Sequence, residues 1–253
     1  MNNNINKLIE WIKESNKIVF FGGAGVSTES GLKDFRSKDG LYNEKYDYPP
    51  EEILSHTFFI NNTSEFYKFY KDKLNVNGLK PNITHIVLKK LEDLKKLSCV
   101  ITQNIDGFHT DAGSKKVLEL HGSIKRNYCM DCHKFYDDNY IFSTNDIPKC
   151  SCGGIIKHDV VLYDEGLDDD IVSETIKEIS NCDLLIVGGT SLNVYPAAGF
   201  LRFFRGKHLV LINKDETPYD KSCDLVIHDS LGKVFKEIEK EIIKWLFLLF
   251  YII

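Results

Sequence analysis

Short apolar runs, each followed by a polar or glycine-rich stretch, recur along most of this chain of 253 residues. Continuous apolar runs that are rich in β-branched residues and separated by helical patterns predict parallel strands buried on both faces of a sheet. The predicted strands cover residues 17–21, 99–102, 117–121, 183–189, 208–213 and 224–227. We therefore expect an α/β fold with a Rossmann-like parallel sheet and helices on both of its faces.

The segments between these runs have the apolar spacing of helices. Ile5, Leu8, Ile9 and Ile12 lie at helical spacing and predict an amphipathic helix over 5–15. The sequence also predicts a short helix at 28–31, two short helices within 51–74, a helix over 82–95 and a loop over 36–50.

The alternation of strands and helices is interrupted twice. Residues 122–160 carry paired cysteines, and residues 36–81 are polar and rich in aromatic side chains. We predict that a helical and cofactor-loop insertion at 36–81 and a zinc module at 122–160 together form a small domain. The remaining segments, 1–35, 82–121 and 161–253, are predicted to form the large, nucleotide-binding domain.

Four of the seven cysteines lie in two close pairs. Cys129 and Cys132 form the first pair, and Cys150 and Cys152 follow after seventeen intervening residues. Two such pairs can place four thiolates tetrahedrally around Zn²⁺, at about 2.3 Å from each sulfur. The alternative is four reduced cysteines without a metal. We expect one structural zinc ion, because four protein ligands leave no open coordination position.

A glycine turn follows the first predicted strand. Gly23 and Gly25 have no Cβ, so backbone N–H groups in the turn can approach a phosphate. Thr28 occupies the position of the third glycine in the dinucleotide-binding fingerprint, and a tight structural turn would have the same pattern. No acidic residue clearly ends a second strand, where a dehydrogenase holds its ribose. The turn therefore predicts a nucleotide that is not used for ordinary hydride transfer.

Polar residues follow the predicted strands at their carboxyl ends, where parallel sheets bind ligands. Asn104 and Asp106 could hydrogen-bond an amide, a ribose or a water molecule, although Asp106 could instead cap a helix. His121 ends another strand and is well placed as a general base, although a lone histidine is often structural.

The composition limits the expected partners and location. The net charge is -5 and no long basic run is present, so nucleic acid is not an expected partner. The N-terminus lacks the apolar core of a signal peptide, so a cytoplasmic location is the default expectation. Residues 245–253 are wholly apolar but fall short of the roughly 20 residues that span a membrane. We expect this tail to pack on the core or to end irregularly, and an interfacial anchor with weak membrane association is the alternative.

In their order along the chain, these motifs resemble the sirtuin family of NAD-dependent protein lysine deacylases, from about residue 7 to about residue 238. The matching elements are 23–27, 31–36, 102–106, His121-Gly122, the two cysteine pairs, 189–198 and Asn213. The chain looks most like bacterial sirtuins of this length.

The resemblance implies that NAD is a co-substrate, which accounts for the incomplete dehydrogenase fingerprint. The acetyl-lysine oxygen would attack the ribose carbon as nicotinamide leaves. A ribose hydroxyl would then attack the resulting alkylimidate, and water would complete the reaction to give lysine and O-acetyl-ADP-ribose. His121 would act as general base on the attacking ribose hydroxyl. Asn104 would orient ribose hydroxyls or water, Asp106 would accept from the nicotinamide carboxamide, and Phe35 would shield the reactive carbon from water.

The resemblance also implies the residues that contact NAD. They are Ala24, Gly25, Thr28, Asp34, Phe35, Arg36, Gln103, Asn104, Ile105, Asp106, His121, Thr190, Ser191, Asn213 and Leu231. Ala24, Phe35, Ile105 and Asp106 would form the nicotinamide pocket. Asn213 would hold the adenosine ribose.

An acetylated protein or peptide is the implied partner. It should add as a strand between residues 157–163 and the loop at 192–194, a mode that reads backbone more than sequence. The implied contacts are Val160, Val161, Tyr163 and Val194.

Some residues depart from the family pattern. Lys33 and His158 stand where the family often has Pro, and Asp164 stands where many members have Gly. Members that remove acidic acyl groups pair a Tyr with an Arg three residues later, and the nearest match here is Tyr70 with Lys73. Deacetylation is therefore the expected activity, and the alternatives are removal of other acyl groups, mono-ADP-ribosyl transfer or NAD hydrolysis on the same scaffold.

Overall fold

The computed structural model of this chain describes residues 3–34, 40, 46, 48–193 and 195–251, with side chains as far as residue 245. Three predicted site residues, Phe35, Arg36 and Val194, lie outside the described residues, as does most of the loop predicted over 36–50.

Nine strands are present within the described residues. They are β1 Ile18–Gly22, β2 Leu97–Thr102, β3 Val117–Glu119, β4 Asn127–Cys129, β5 Phe135–Tyr136, β6 Ile156–His158, β7 Leu184–Gly188, β8 His208–Ile212 and β9 Leu225–Ile227. Six form a parallel sheet in the order β3-β2-β1-β7-β8-β9, and β5-β4-β6 form a small antiparallel sheet. All six predicted strands are confirmed, and they are the six strands of the parallel sheet.

The helices connect and cover these strands. They are α1 Asn3–Glu14, α2 Pro50–Ile53, α3 His56–Asn61, α4 Thr63–Lys73, α5 Ile83–Asp93, α6 Phe108–Asp111, α7 Asp138–Ser143, α8 Asp169–Asn181 and α9 Leu231–Tyr251. The stretch predicted as two short helices contains three, because Ser55 and Asn62 each start a new helix. The Ser55 side chain accepts a hydrogen bond from the N–H of Phe58 and so caps α3.

Both faces of the parallel sheet are covered, as the continuous apolar runs require. Along β1 the side chains alternate, so that Phe20 packs with α1, α5 and α9 on one face, whereas Phe21 packs with α8 on the other. The strand order reverses direction between β1 and β7. In open parallel sheets such a reversal creates a crevice at the carboxyl ends of the strands, and ligands bind there.

A second core, rich in aromatic side chains, lies between the small sheet and helices α2 to α4. His158 is fully buried in it and stacks on Tyr70, with ring centroids 4.7 Å apart. Burial holds the pKa of His158 well below its ordinary value, so this departure from the family pattern adds a neutral ring to the core. The domain limits drawn from the sequence stay a prediction.

The apolar tail continues a helix. Helix α9 extends to Tyr251, so the prediction of an irregular end is wrong for residues 245–251. Trp245 is partly buried against the core shared with α1, and Lys13 Nζ lies 5.0 Å from the centre of its ring. No helix among the described residues is long and apolar enough to cross a membrane.

Candidate active site

Two glycine turns meet in the crevice between β1 and β7. The N–H of Gly23 donates to the Gly188 carbonyl at 3.1 Å, and the N–H of Gly25 donates to the Gly189 carbonyl at 2.8 Å. A Cβ on Gly25 would lie 2.8 Å from the Gly189 Cα, so the two turns can approach only without side chains. Both N–H groups therefore donate their hydrogen bonds within the protein, and the close packing of the two turns explains why glycine is needed here.

Ser27 joins the glycine turn to the polar loop after β2. Its hydroxyl donates to Asp106 Oδ2 at 2.6 Å and accepts from Asn104 Nδ2 at 3.0 Å. The sequence does not indicate this role of Ser27, because its partners lie 79 and 77 residues away along the chain. Its buried position at the carboxyl end of β1 brings two predicted site residues, Asn104 and Asp106, into one network.

Asp106 is buried in this network. Burial raises the pKa of its carboxyl group, and the hydrogen bonds from Ser27 and from the N–H of Phe108 partly offset that rise. The bond from Phe108, at 2.9 Å, lies at the start of α6. Asp106 is not the N-cap of α6, as the sequence alternative had it, because Gly107 holds that position; its carboxylate instead accepts from the first N–H of the helix and from Ser27. Each carboxylate oxygen has capacity for one further donor, such as an amide.

His121 follows β3 at the same edge of the sheet. Its Nδ1 lies 2.9 Å from the Gln103 carbonyl oxygen. A carbonyl can only accept, so Nδ1 carries the proton, and in the neutral ring Nε2 retains the lone pair that a general base needs. Burial lowers the pKa of His121 below its ordinary value of 6.5, and the bond to Gln103 opposes that shift.

Gln103 also connects the loops after β2 and β7. Its backbone N–H donates to the Gly22 carbonyl at 3.0 Å, and its Nε2 lies 3.1 Å from Thr190 Oγ1. The Thr190 hydroxyl in turn accepts from the N–H of Leu192 at 3.3 Å. The same residue therefore orients His121 and spans the crevice.

The other predicted NAD contacts line this edge at various depths. The Thr28 hydroxyl donates to the Gly25 carbonyl at 3.1 Å, and Asn213, after β8, donates through Nδ2 to the Asp215 carbonyl at 2.8 Å. Leu231 is 5 % exposed and packs beneath the turn after β7. Ala24, Asp34, Ile105 and Ser191 are partly exposed. Contact of each with NAD stays a prediction.

The segment predicted to bind peptide already uses its backbone donors. The N–H of Val161 donates to the His121 carbonyl at 3.0 Å, and the N–H of Tyr163 donates to the Leu54 carbonyl at 2.9 Å. The N–H of Leu162 donates to the Glu165 carboxylate at 2.9 Å. A peptide strand would have to pair with other backbone groups of this segment. Val160 is buried, whereas Tyr163 is 41 % exposed.

The four paired cysteines meet in the small sheet. All four Sγ atoms lie within 4.8 Å of one another, and Cys129 to Cys152 and Cys132 to Cys150 are each separated by 3.5 Å. A tetrahedron of Zn–S bonds about 2.3 Å long has edges of about 3.8 Å. A Cβ on Gly154 would lie 2.7 Å from Cys129 Sγ, so glycine is needed beside the cluster. The donor set fits one structural zinc ion and leaves no open position for catalysis.

Comparisons with known proteins agree with this geometry. The Sir2 family model matches residues 23–196. An NAD-dependent protein deacetylase of Clostridium perfringens is 58% identical over 242 residues, which cover 94% of this chain and 99% of that protein.

Two solved structures are similar over nearly their whole length. A Sir2 protein with a deacetylated peptide and 3'-O-acetyl-ADP-ribose is 36% identical, with a TM-score of 0.86 and coverage of 94% of this chain and 98% of that chain. A complex of a Sir2 homologue with NAD is also 36% identical, with a TM-score of 0.86 and coverage of 95% and 94%.

Proposed function

This chain belongs to the Sir2 family, and from that premise we propose that it is an NAD-dependent protein lysine deacetylase. With NAD and one water molecule as co-reactants, it transfers the acetyl group of an acetyl-lysine side chain to ADP-ribose and releases free lysine, nicotinamide and O-acetyl-ADP-ribose. The observation that carries the proposal is the hydrogen bond from His121 Nδ1 to the Gln103 carbonyl at the crevice edge. That bond presents Nε2 as a base beside a nucleotide site.

His121 serves as general base for a ribose hydroxyl. A neutral imidazole can remove the proton, and a positioned base of this kind typically contributes about 10²–10⁴-fold to the rate. Gln103 fixes the ring orientation, because its backbone carbonyl is held at the end of β2 by the bond from its own N–H to Gly22.

The Asp106 carboxylate accepts a hydrogen bond from the nicotinamide carboxamide, and Asn104 orients ribose hydroxyls or water. The contact with Ser27 supports these roles, since it fixes Asp106 Oδ2 and Asn104 Nδ2 around one hydroxyl. The partial desolvation that raises the pKa of Asp106 also strengthens its hydrogen bonds, because the local dielectric is low. Zinc takes no chemical part, and its four thiolates hold the small sheet together.

The positions of Tyr70 and Lys73 argue against an acidic acyl group as the preferred substrate. Tyr70 is fully buried against His158, whereas Lys73 pairs with Asp72 at 2.9 Å. The Tyr and Lys therefore do not combine into a receptor for a carboxylate. We expect acetyl-lysine peptides to be turned over with a kcat/KM at least about tenfold above that of succinyl-lysine peptides of the same sequence. Mass spectrometry of peptide and nucleotide products across an acyl panel tests this, and faster desuccinylation would contradict it.

The activity should have an acidic limb set by His121. A general base works when neutral, so kcat/KM rises as pH increases through its pKa, and burial moves that midpoint below 6.5. Rates of the wild-type protein on an acetyl peptide, measured between about pH 5 and pH 9, should therefore reach their plateau near neutrality. A midpoint above about pH 7.5 would contradict this role.

A loss of activity caused by acid unfolding has to be distinguished from the acidic limb of the kcat/KM profile. Burial lowers the pKa of His85 to about 4, so the unfolded chain binds more protons than the folded chain between about pH 4 and pH 6.5. The stability that the neutral, buried His85 contributes is therefore fully present above the pKa of the unfolded chain, and it is lost as the pH falls through this window. Thermal unfolding in the same buffers identifies the pH range in which the protein remains folded.

Location and partners complete the proposal. Cys99, Cys182 and Cys223 are unpaired, and a zinc-thiolate cluster persists best in a reducing compartment, which supports a cytoplasmic location. Acetylated proteins are the substrates. The net charge of -5 argues against a nucleic-acid partner.

A further inference from the structure

One cation, Arg126, joins the two chain segments that cross between the large and small sheets. Arg126 Nη1 lies 2.6 Å from Glu119 Oε2, at the end of β3. Its Nε and Nη2 lie 2.8 and 2.7 Å from Asp159 Oδ2, just after β6. The outgoing segment, 119–126, contains His121, and the returning segment, 159–163, belongs to the stretch 157–163 beside which the peptide is predicted to add.

The two segments are in direct backbone contact between these ion pairs. The N–H of Asp159 donates to the Arg126 carbonyl at 2.8 Å, and the N–H of Val161 donates to the His121 carbonyl at 3.0 Å. A Cβ on Gly122 would lie 2.0 Å from the Asp159 carbonyl oxygen, so the segments touch at a glycine. The position of the returning segment is therefore coupled to the backbone of His121 itself.

The buried side chain of Glu119 makes its ion pair with Arg126 hard to break. Its side chain is 9 % exposed, and a buried carboxylate without a partner is costly. Burial raises the pKa of Glu119, the ion pair with Arg126 opposes that rise, and the nearby carboxylates of Asp106 and Asp159 add to it. A guanidinium is suited to this place, because its planar fork can bind two carboxylates in fixed directions.

We propose that Arg126 is a positioning residue that holds the peptide-binding segment 159–163 in register with His121. This inference rests on the proposed deacetylase function for its kinetic consequence. Without the Arg126 side chain, two carboxylates face each other across the crossover, and only the backbone bonds of Asp159 and Val161 remain to hold the two segments together. Peptide binding then weakens, whereas the NAD crevice, built from the turns after β1 and β7, keeps its contacts.

The test compares Arg126→Gln with a matched control, Lys116→Gln. Lys116 also pairs with two carboxylates, at 2.6 and 2.7 Å, and it is 40 % exposed against 38 % for Arg126. One of its partners, Glu178, is 7 % exposed, much like Glu119, but Lys116 does not contact the crossover. We expect Arg126→Gln to raise the KM for an acetyl peptide at least about fivefold and to leave the KM for NAD within about twofold.

The control should lose comparable thermal stability and keep the peptide KM within about twofold of wild type. Arg126→Lys should recover part of the loss, because one ammonium can still pair with one carboxylate. If Arg126→Gln does not fold, Asp159→Asn removes only the returning arm of the bridge and should give the same selective rise in peptide KM.

Hydrogen exchange gives a readout that does not depend on activity. The amides of Asp159 and Val161 should exchange faster in Arg126→Gln and at the wild-type rate in Lys116→Gln. Unchanged exchange, an unchanged peptide KM, or an equal rise in the control would overturn the positioning role. A wild-type protein that binds NAD and fails to deacetylate any peptide would instead overturn the proposed function, and the exchange data would still decide the role of Arg126.

Discussion

Replacing His121 with Ala should reduce NAD-dependent deacetylation by about 10²–10⁴-fold, the usual contribution of a positioned general base. The bond to the Gln103 carbonyl leaves Nε2 of the ring as the proton acceptor, and alanine offers none. The loss should appear in kcat with an acetyl-lysine peptide at saturating NAD.

The fold should survive this substitution. His121 lies on the segment after β3, outside the ladder of the parallel sheet, and its ring bonds to the Gln103 carbonyl. Thermal unfolding and NAD binding should stay close to wild type. His208→Gln is a suitable control, because His208 lies at the amino end of β8, on the opposite edge of the sheet, where it stacks on Trp11 at 3.8 Å. Turnover of His121→Ala at the wild-type rate would exclude His121 as the base.

Replacing a zinc ligand should have the largest effect on structure. We expect Cys129→Ser or Cys150→Ser to release zinc and to unfold the small sheet, with loss of deacetylation as a consequence. Structural zinc sites typically contribute about 10–16 kcal/mol of apparent binding free energy, and a three-ligand site retains only part of it. β4, β5 and β6 are only two or three residues long, so the metal supplies stability that their few ladder bonds cannot.

Elemental analysis of the purified variants measures this effect. Wild type should hold one zinc per chain, and the two variants much less. Cys223→Ser is the matched control, because Cys223 is a half-buried cysteine outside the cluster, and it should keep its zinc. A full complement of zinc in Cys129→Ser would rule out the cysteine cluster as the site.

The parallel sheet was predictable because its signal is local. Each run, such as the residues of β1 and β7, is apolar throughout, and the glycines that follow mark where the strand ends. Strand ends were less certain. The strand predicted over 117–121 ends at Glu119. The N–H of Leu120 still donates to the Thr102 carbonyl at 2.9 Å, and the chain then turns toward the small sheet.

The small sheet had no comparable signal. β5 contains two residues, and alternation cannot be recognised over so short a run. The cysteine spacing predicted the metal site, and the metal site gave no indication of strand pairing.

The contacts of the candidate site were the hardest to predict. Nothing local marks Ser27 as the partner of Asp106, and nothing marks Arg126 as the link between Glu119 and Asp159, because these pairs form only when distant segments meet. The motif predicts that the glycines after β1 leave room for a phosphate. In the structure, the same glycines are required because the turn packs against Gly189. Motif matching selected residues that the fold brings to one crevice, and the physical reason for the glycines depended on the partner turn.

The central claim is that NAD cleavage and acetyl removal are one coupled reaction. Quantifying nicotinamide, O-acetyl-ADP-ribose and deacetylated peptide by mass spectrometry, in a single reaction of the wild-type protein, tests it most directly. The account predicts that the three products form in equal amounts and that none forms without the acetyl peptide. Nicotinamide released together with free ADP-ribose or with ADP-ribosylated peptide, in place of O-acetyl-ADP-ribose, would contradict it.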